Sequence, residues 1–240
     1  MMAMRNPIIL ALDVPNPERA LQLVERARPF VGAFKIGSEL FTAAGPEIVR
    51  QVRALGASVF LDLKFHDIPN TVAKSVSAAT RLNVQMLTIH TCGGIEMMKA
   101  AEAAAQETAR QLAYEPPLVL GVTVLTSMEE GTLNEIGVNS PNVETQVERL
   151  AKLAGTAGLR GLVCSPLELP LLRRVLAPSV QLVTPGIRGA SDAAGDQKRT
   201  LSAKEAIENG ATWIVIGRPI YAAPDPARAA QEILASLSAP

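Results

Sequence analysis

Residues 58–71 read SVFLDLKFHDIPNT, and this stretch joins an apolar run to a group of charged side chains. The apolar part, SVFL at 58–61, predicts a strand buried inside a sheet. The end of that strand carries Asp62 and Lys64, and Asp67 follows shortly after. Because an unpaired charge is costly to bury, these side chains must either compensate one another or serve a chemical purpose.

Seven further apolar runs of similar length recur along the chain, and segments with helical patterns separate them. The runs are IILAL (8–12), AFKIG (33–37), QMLTIH (85–90), LVLGVTVL (118–125), RGLVCS (160–165), VQLVTP (180–185) and WIVIG (213–217). Near-continuous apolar runs are typical of parallel strands that are buried on both faces. Eight such strands alternating with helices predict a single (β/α)8 barrel, the TIM barrel, over residues 1–240. An open, doubly wound parallel sheet is the alternative.

Helix boundaries are also marked in the sequence. Asn16 and Asp225 each precede a proline, which is the expected order of an N-cap residue and the first helical residue. Between the second and third strands, Ile48, Val49, Val52 and Leu55 share one helical face, and Gly56 supplies a stop. These patterns predict that the connections between strands are helical.

The composition excludes several classes of protein. Hydrophobic residues make up 48% of the 240 residues, and 23 basic residues balance 23 acidic ones. A neutral chain with 3% aromatic residues does not resemble a nucleic-acid-binding protein. Two cysteines cannot form a disulfide framework, and the N-terminus lacks the order of a signal peptide. No long uncharged apolar segment is present. We therefore expect a cytoplasmic protein that binds neither nucleic acid nor membrane.

Charged residues collect where the predicted strands end, which is the catalytic face of such barrels. Asp13 follows the first strand, Lys35 lies in the second, and Asp62, Lys64 and Asp67 are at or beyond the end of the third. In a regular strand, residues 62 and 64 project to the same face, and the neighbouring strand lies about 5 Å away. The sequence thus predicts a row of alternating charge, Lys35–Asp62–Lys64–Asp67, in which the Lys64 ammonium could protonate a carbanion. The alternative is a purely structural cluster of salt bridges.

The histidines and cysteines suggest no metal centre. His66 lies beside the charge row, but Lys64 and Asp67 already supply acid and base groups, so we expect a packed or hydrogen-bonded imidazole. His90 ends the fourth strand and is assigned no chemistry. Together with Cys92 and Cys164, these residues do not have the spacing of metal ligands.

An anion site is expected at the last two strands, where such barrels often bind phosphate. The eighth strand runs into Gly217-Arg218, which offers close backbone approach and a forked donor. A long segment rich in Gly, Ala, Ser and Asp, residues 185–197, follows the seventh strand and includes Arg188. Its position favours a lid over the site, and a plain surface loop is the alternative.

The order and spacing of seven motifs resemble the orotidine 5'-phosphate decarboxylase family, in its bacterial form. The motifs are LALDVP (10–15), FKIG (34–37), DLKFHDIPNTV (62–72), GVTVLTSM (121–128), VTPGIR (183–188), GDQKR (195–199) and IGRPI (216–220). They cover nearly the whole chain, and DLKFHDIPNT is the most specific of them. The resemblance implies a TIM-barrel enzyme that converts orotidine 5'-phosphate to uridine 5'-phosphate in pyrimidine biosynthesis without a cofactor.

The resemblance also implies roles for individual residues. Lys64 matches the lysine that protonates carbon six of the pyrimidine. Asp62 matches the aspartate that lies against the departing carboxylate. This aspartate acts either by straining that carboxylate or by positioning Lys64. Lys35 and Asp67 complete the charge array, and Asp67 is expected to serve the partner subunit's site in a homodimer. The remaining substrate-binding positions are Asp13 and Lys35 at the ribose, Thr71 across the interface, Thr126 and Ser127 after strand five, and Arg188, Gln197, Gly217 and Arg218 in a clamp on phosphate and base.

Two other functions remain possible at this point. Sugar-phosphate decarboxylases and aldolases of the same superfamily share an Asp-x-Lys-x-x-Asp motif but hold magnesium with acidic ligands. Lys35 places a positive charge where such a metal would need a carboxylate. A barrel that binds nucleotides without catalysis should show a substitution in the charge row, and all four members are present.

Overall fold

The computed structural model describes residues 6–187 and 201–237, and these ranges form a closed barrel of eight parallel strands in sequence order. The strands are β1 Ile8–Ala11, β2 Ala33–Gly37, β3 Val59–Phe65, β4 Met86–His90, β5 Leu118–Val122, β6 Gly161–Val163, β7 Gln181–Thr184 and β8 Trp213–Ile216. The barrel closes where β1 pairs with β8, with Ile8 opposite Ile214. All eight predicted strands are confirmed, and the open-sheet alternative is wrong.

Helices connect the strands around the outside of the barrel. They are α1 Pro17–Ala27, α2 Ser38–Ala44, α3 Glu47–Ala54, α4 Pro69–Thr80, α5 Gly94–Leu112, α6 Glu130–Glu135, α7 Val143–Thr156, α8 Leu169–Val175, α9 Ala203–Glu208, α10 Arg218–Tyr221 and α11 Pro226–Ser236. Short 3-10 helices span Thr91–Gly93 and Pro166–Glu168. No helix in the described ranges has both the length and the apolar character needed to cross a membrane.

The predicted helix boundaries are confirmed at both prolines. The Asn16 side chain accepts a hydrogen bond from the Arg19 backbone N–H, and Asp225 accepts from the N–H groups of Ala227 and Arg228. These caps satisfy donors that the first helical turn leaves unpaired, and each contributes about 0.5–2 kcal/mol. The face of α3 predicted from the sequence is buried through Ile48, Val49 and Val52.

Two apolar layers hold the barrel together. The larger layer lies between the strands and the surrounding helices, and the smaller one fills the barrel interior. The interior layer consists of Ile9, Ala11, Ala33, Phe60, Met86, Leu118, Leu120, Val183, Trp213 and Val215. Along β2 and β3, the next interior positions after Ala33 and Phe60 are Lys35 and Asp62, because side chains alternate along a strand. The apolar filling therefore gives way to charged residues toward the carboxyl ends of these strands.

Candidate active site

A continuous row of charges joins the carboxyl ends of β1, β2 and β3. The Lys35 ammonium donates to Asp13 Oδ1 at 2.8 Å and lies 3.9 Å from Asp62 Oδ2. On the other side of that carboxylate, Lys64 Nζ donates to Asp62 Oδ1 at 2.9 Å. Only 13% of the Asp62 side chain is exposed, compared with 36% for Lys64. The row Asp13–Lys35–Asp62–Lys64 is neutral in sum, so each charge has a partner of opposite sign.

Strand β3 is irregular at the point where it carries these charges. Leu61 pairs with Leu87 and Phe65 pairs with Ile89, so residues 62, 63 and 64 stand opposite the single residue Thr88. Lys64 has a φ of 52°, in the left-handed region that costs a side-chain-bearing residue about 1–2 kcal/mol. The expected regular strand through residues 62–64 is therefore wrong, although the two side chains are in contact.

The charge row forms one side of a cavity of about 590 Å³ at the carboxyl ends of the strands. This volume falls within the range of about 300–1,000 Å³ that is usual for small-molecule sites. The apolar part of the lining includes Ala11, Phe60, Val122, Val163 and Val215. Charges set against an apolar wall interact more strongly than they would in bulk water, because the local dielectric constant is lower.

The ends of β5 and β8 supply further polar groups to the cavity wall. Gly217 and Arg218 line it at the start of α10, and Thr126 lines it beyond β5. A Cβ placed on Gly217 would lie 3.8 Å from Asp13 Oδ2, so the backbone here runs beside the charge row. Ser127 is not part of the described cavity lining.

Two of the sequence-predicted residues, Asp67 and Thr71, lie outside the lining of this cavity. Asp67 and Thr71 are exposed at the start of α4 and do not belong to the described lining. The Asp67 carboxylate accepts a hydrogen bond from the Ile68 backbone N–H at 2.7 Å. Ile68 itself is 66% exposed. Within one chain, the row of charges therefore runs Asp13–Lys35–Asp62–Lys64. Asp67, which the sequence predicted as a member of the row, is not part of it.

The expected lid lies largely outside the described residues. Pro185, Gly186 and Ile187 line the cavity where the segment after β7 begins. Arg188 and Gln197 fall in the range 188–200, which the structure does not describe. Their expected roles remain predictions.

The histidines lie beside the charge row, and the ring centroids of His66 and His90 are 5.6 Å apart. Burial lowers the pKa of His90, and the nearby His66 and Lys64 lower it further. A group of three or more His, Cys, Asp or Glu residues placed to hold a metal ion does not occur in the ranges 6–187 and 201–237.

Burial raises the pKa of the Cys164 thiol to about 12. Cys164 contributes to the cavity lining at the end of β6, and its Sγ atom lies 3.8 Å from the Thr184 hydroxyl. A thiol with so high a pKa is neutral at ordinary pH and is a poor nucleophile.

The sequence analysis did not identify three residues that belong to this region. Glu39 and Tyr221 line the cavity. Thr88 does not belong to the described lining, but its hydroxyl forms hydrogen bonds with the Asp62 carboxylate and the Lys64 backbone N–H. Glu39 follows the predicted second strand and could have been found as a polar residue at a strand end. Thr88 gave no such signal, because threonine is common within strands.

Comparison with models of known protein families assigns the chain to one of them. The family model described as "Orotidine 5'-phosphate decarboxylase / HUMPS family" matches residues 6–233. The chain belongs to this family. The family resemblance seen in the sequence motifs is therefore confirmed.

Members of the orotidine 5'-phosphate decarboxylase / HUMPS family resemble the chain over nearly its whole length. The orotidine 5'-phosphate decarboxylase of Opitutus terrae is 55% identical over 231 residues, 96% of this chain and 97% of that protein. The Moorella thermoacetica protein of the same name is 49% identical, over 97% of this chain and 92% of its own length. A crystal structure of the Lactobacillus acidophilus orotidine 5'-phosphate decarboxylase superposes with a TM-score of 0.87 at 35% identity, covering 98% of this chain and 100% of that one.

Proposed function

We propose that this protein decarboxylates orotidine 5'-phosphate to uridine 5'-phosphate, as a single-domain enzyme of pyrimidine biosynthesis in the cytoplasm. The observation that carries the proposal is the Lys64–Asp62 ion pair, which is 2.9 Å long and stands in a neutral charge row beside an apolar cavity wall. The names of the full-length relatives support the choice of substrate.

The chemistry requires a stabilised negative charge at carbon six of the pyrimidine. When the bond to the carboxylate breaks, its electron pair remains on carbon six and carbon dioxide departs. The ammonium of Lys64 stabilises this developing charge and then transfers one proton to carbon six. Lys64 is left neutral and recovers a proton from solvent. The transfer needs no cofactor, because the charge row supplies both the cation and the proton.

Asp62 and Lys35 keep that cation in place. Asp62 receives the Lys64 ammonium on Oδ1 and faces Lys35 with Oδ2. Because both partners are positive, they attract the carboxylate from two sides, and the carboxylate fixes the direction of the Lys64 ammonium. A charge arrangement built before the substrate arrives does not have to reorganise during the reaction.

Other residues would bind the parts of the nucleotide that do not react. Asp13 and Lys35 would bond to the ribose hydroxyls, and Thr126 and Ser127, which follow β5, would contact the base. Gly217 and Arg218 would hold the phosphate, with Arg188 and Gln197 closing over it. Binding energy from a remote phosphate can drive closure of the site and the exclusion of water.

We further propose a homodimer in which Asp67 and Thr71 enter the partner subunit's site. Both side chains are exposed and lie off the cavity of their own chain. The neighbouring Ile68, which is 66% exposed, is an apolar residue of the kind that subunit contacts cover. This arrangement would bring a second carboxylate to Lys64 only after assembly.

The two alternatives receive less support. A magnesium-dependent sugar-phosphate enzyme needs a cation between its carboxylates, and the Lys35 ammonium already lies between Asp13 and Asp62. A barrel that only binds nucleotides has no use for Lys64 in a strained backbone conformation next to Asp62.

The proposal is tested by following the loss of ultraviolet absorbance of orotidine 5'-phosphate with purified protein. Parallel reactions contain a keto-acid sugar phosphate with magnesium. Turnover of the nucleotide alone supports the proposal. Turnover of the sugar phosphate alone would replace it with the metal-dependent alternative, and nucleotide binding without turnover would favour the non-catalytic barrel.

A further inference from the structure

The side chain of Thr88 occupies an unusual place behind the charge row. Thr88 lies on β4 and is fully buried, and it does not belong to the described cavity lining. It is the single β4 residue that faces residues 62–64 of the irregular part of β3. A substrate in the cavity would therefore meet Asp62 and Lys64 before it could reach Thr88.

The Thr88 hydroxyl makes two hydrogen bonds, and both go to the charge row. It accepts from the Lys64 backbone N–H at 2.9 Å and donates to Asp62 Oδ1 at 2.9 Å. A hydroxyl has one proton to donate, so its donor is committed to the carboxylate. The same Oδ1 atom accepts from Lys64 Nζ. The Thr88 side chain thus links the Lys64 backbone to the Asp62 carboxylate, and that carboxylate in turn accepts from the Lys64 ammonium.

The first of these bonds replaces a bond that the irregular strand has lost. In a regular parallel pair, a backbone N–H donates to a carbonyl of the neighbouring strand. The Lys64 N–H donates instead to a side chain, and the residue has a φ of 52°. A buried N–H without a partner is strongly unfavourable, so a hydroxyl at this position favours the left-handed conformation of Lys64.

We propose that Thr88 is a positioning residue for the reaction, whose hydroxyl holds Lys64 and Asp62 in the geometry that proton transfer requires. The inference rests on the proposed function of Lys64 as the proton donor. Thr88 touches neither substrate nor reacting atoms, and acts through the two residues that do. A misplacement of about 1 Å in a catalytic group can slow a reaction about a hundredfold.

The test compares three variants by steady-state kinetics with orotidine 5'-phosphate. Thr88→Val keeps the shape of the side chain and removes the hydroxyl, whereas Thr88→Ser keeps the hydroxyl and removes a methyl group. Thr80→Val is the matched control, because Thr80 is also buried and its hydroxyl donates to the Val76 carbonyl within α4. Thr88→Ala replaces Thr88→Val if the latter does not fold.

We expect Thr88→Val to lower kcat about 10- to 100-fold, as expected for losing a hydrogen bond to a charged group, with KM changed less than about threefold. Thr88→Ser and Thr80→Val should retain kcat within about threefold of the wild type. Wild-type kcat in Thr88→Val would overturn the proposal. A loss of kcat in Thr88→Ser equal to that in Thr88→Val would also overturn the proposal, because the effect would then come from packing rather than from the hydroxyl.

A structural measurement separates this proposal from the proposed function. If the wild type does not turn over the nucleotide, the function fails, and crystal structures of wild type and Thr88→Val then test the geometry alone. We expect the variant to lose the Lys64–Asp62 contact or the left-handed conformation of Lys64. Retention of both features would overturn the positioning role.

Discussion

Lys64 and Asp62 form an ion pair of 2.9 Å although the strand that carries them is irregular between the two residues. In a regular strand, side chains two residues apart stand side by side about 6–7 Å apart along the chain. Here the left-handed backbone at Lys64 turns its side chain onto the Asp62 carboxylate. The contact therefore depends on a local distortion, and distortions of this kind are common near catalytic groups.

Chelation should leave activity unchanged. The Lys35 ammonium bonds to Asp13 and faces Asp62, so a fixed side chain already provides the positive charge between these carboxylates. The rate of orotidine 5'-phosphate decarboxylation is measured before and after dialysis against EDTA. Loss of turnover on dialysis with recovery on adding magnesium would favour the metal-dependent alternative.

Arg218→Ala should weaken substrate binding through the phosphate. Loss of a charge-assisted hydrogen bond costs about 1.5–3 kcal/mol, which raises KM about 10- to 150-fold. The matched control is orotidine, which lacks the phosphate and should react equally slowly with the variant and the wild type. A similar loss with orotidine would place Arg218 at another part of the substrate.

His90 should make the fold less stable as the pH falls below about 6.5. Burial and the neighbouring His66 and Lys64 lower its pKa below the ordinary value of 6.5. In the unfolded chain, His90 takes up a proton as the pH falls through 6.5, whereas in the folded chain it stays neutral until a lower pH. The unfolded state then binds more protons, so the free energy of unfolding decreases over this interval.

The measurement is the melting temperature of wild type and His90→Gln at about pH 7.5 and about pH 5.5. We expect the wild type to lose more stability than the variant between these two conditions. An equal decrease in both proteins would show that His90 does not contribute to the acid sensitivity.

Lys64→Ala and Asp67→Ala proteins should complement one another when their subunits exchange. In a mixed dimer, one site receives an intact Lys64 and an intact Asp67, while the other site carries both substitutions. With random exchange, half of the dimers are mixed and half of their sites work, which restores about a quarter of wild-type activity. If exchange is confirmed by mass and activity does not return, Asp67 does not act across the interface.

The sequence was sufficient to predict the barrel, because eight apolar runs alternate with helical patterns and few folds accommodate that order. It also predicted that Lys35, Asp62 and Lys64 would meet, because parallel strands bring their carboxyl ends to one face. The irregularity at Lys64 could not be predicted, since it depends on the register between β3 and β4 rather than on local propensity. The proposed role of Thr88 depends on the same register, whereas the contact between Asp13 and Lys35 depends on the pairing of β1 with β2.

The most direct test of this account is the rate of orotidine 5'-phosphate decarboxylation by Lys64→Ala, measured beside wild type and Lys99→Ala. Lys99 is a matched control, because it pairs with Glu96 on the surface of α5. We expect the control to match wild type and Lys64→Ala to lose at least about 10³-fold in kcat, since proton donor and carbanion stabiliser are removed together. A folded Lys64→Ala protein with kcat within about tenfold of wild type would contradict the account.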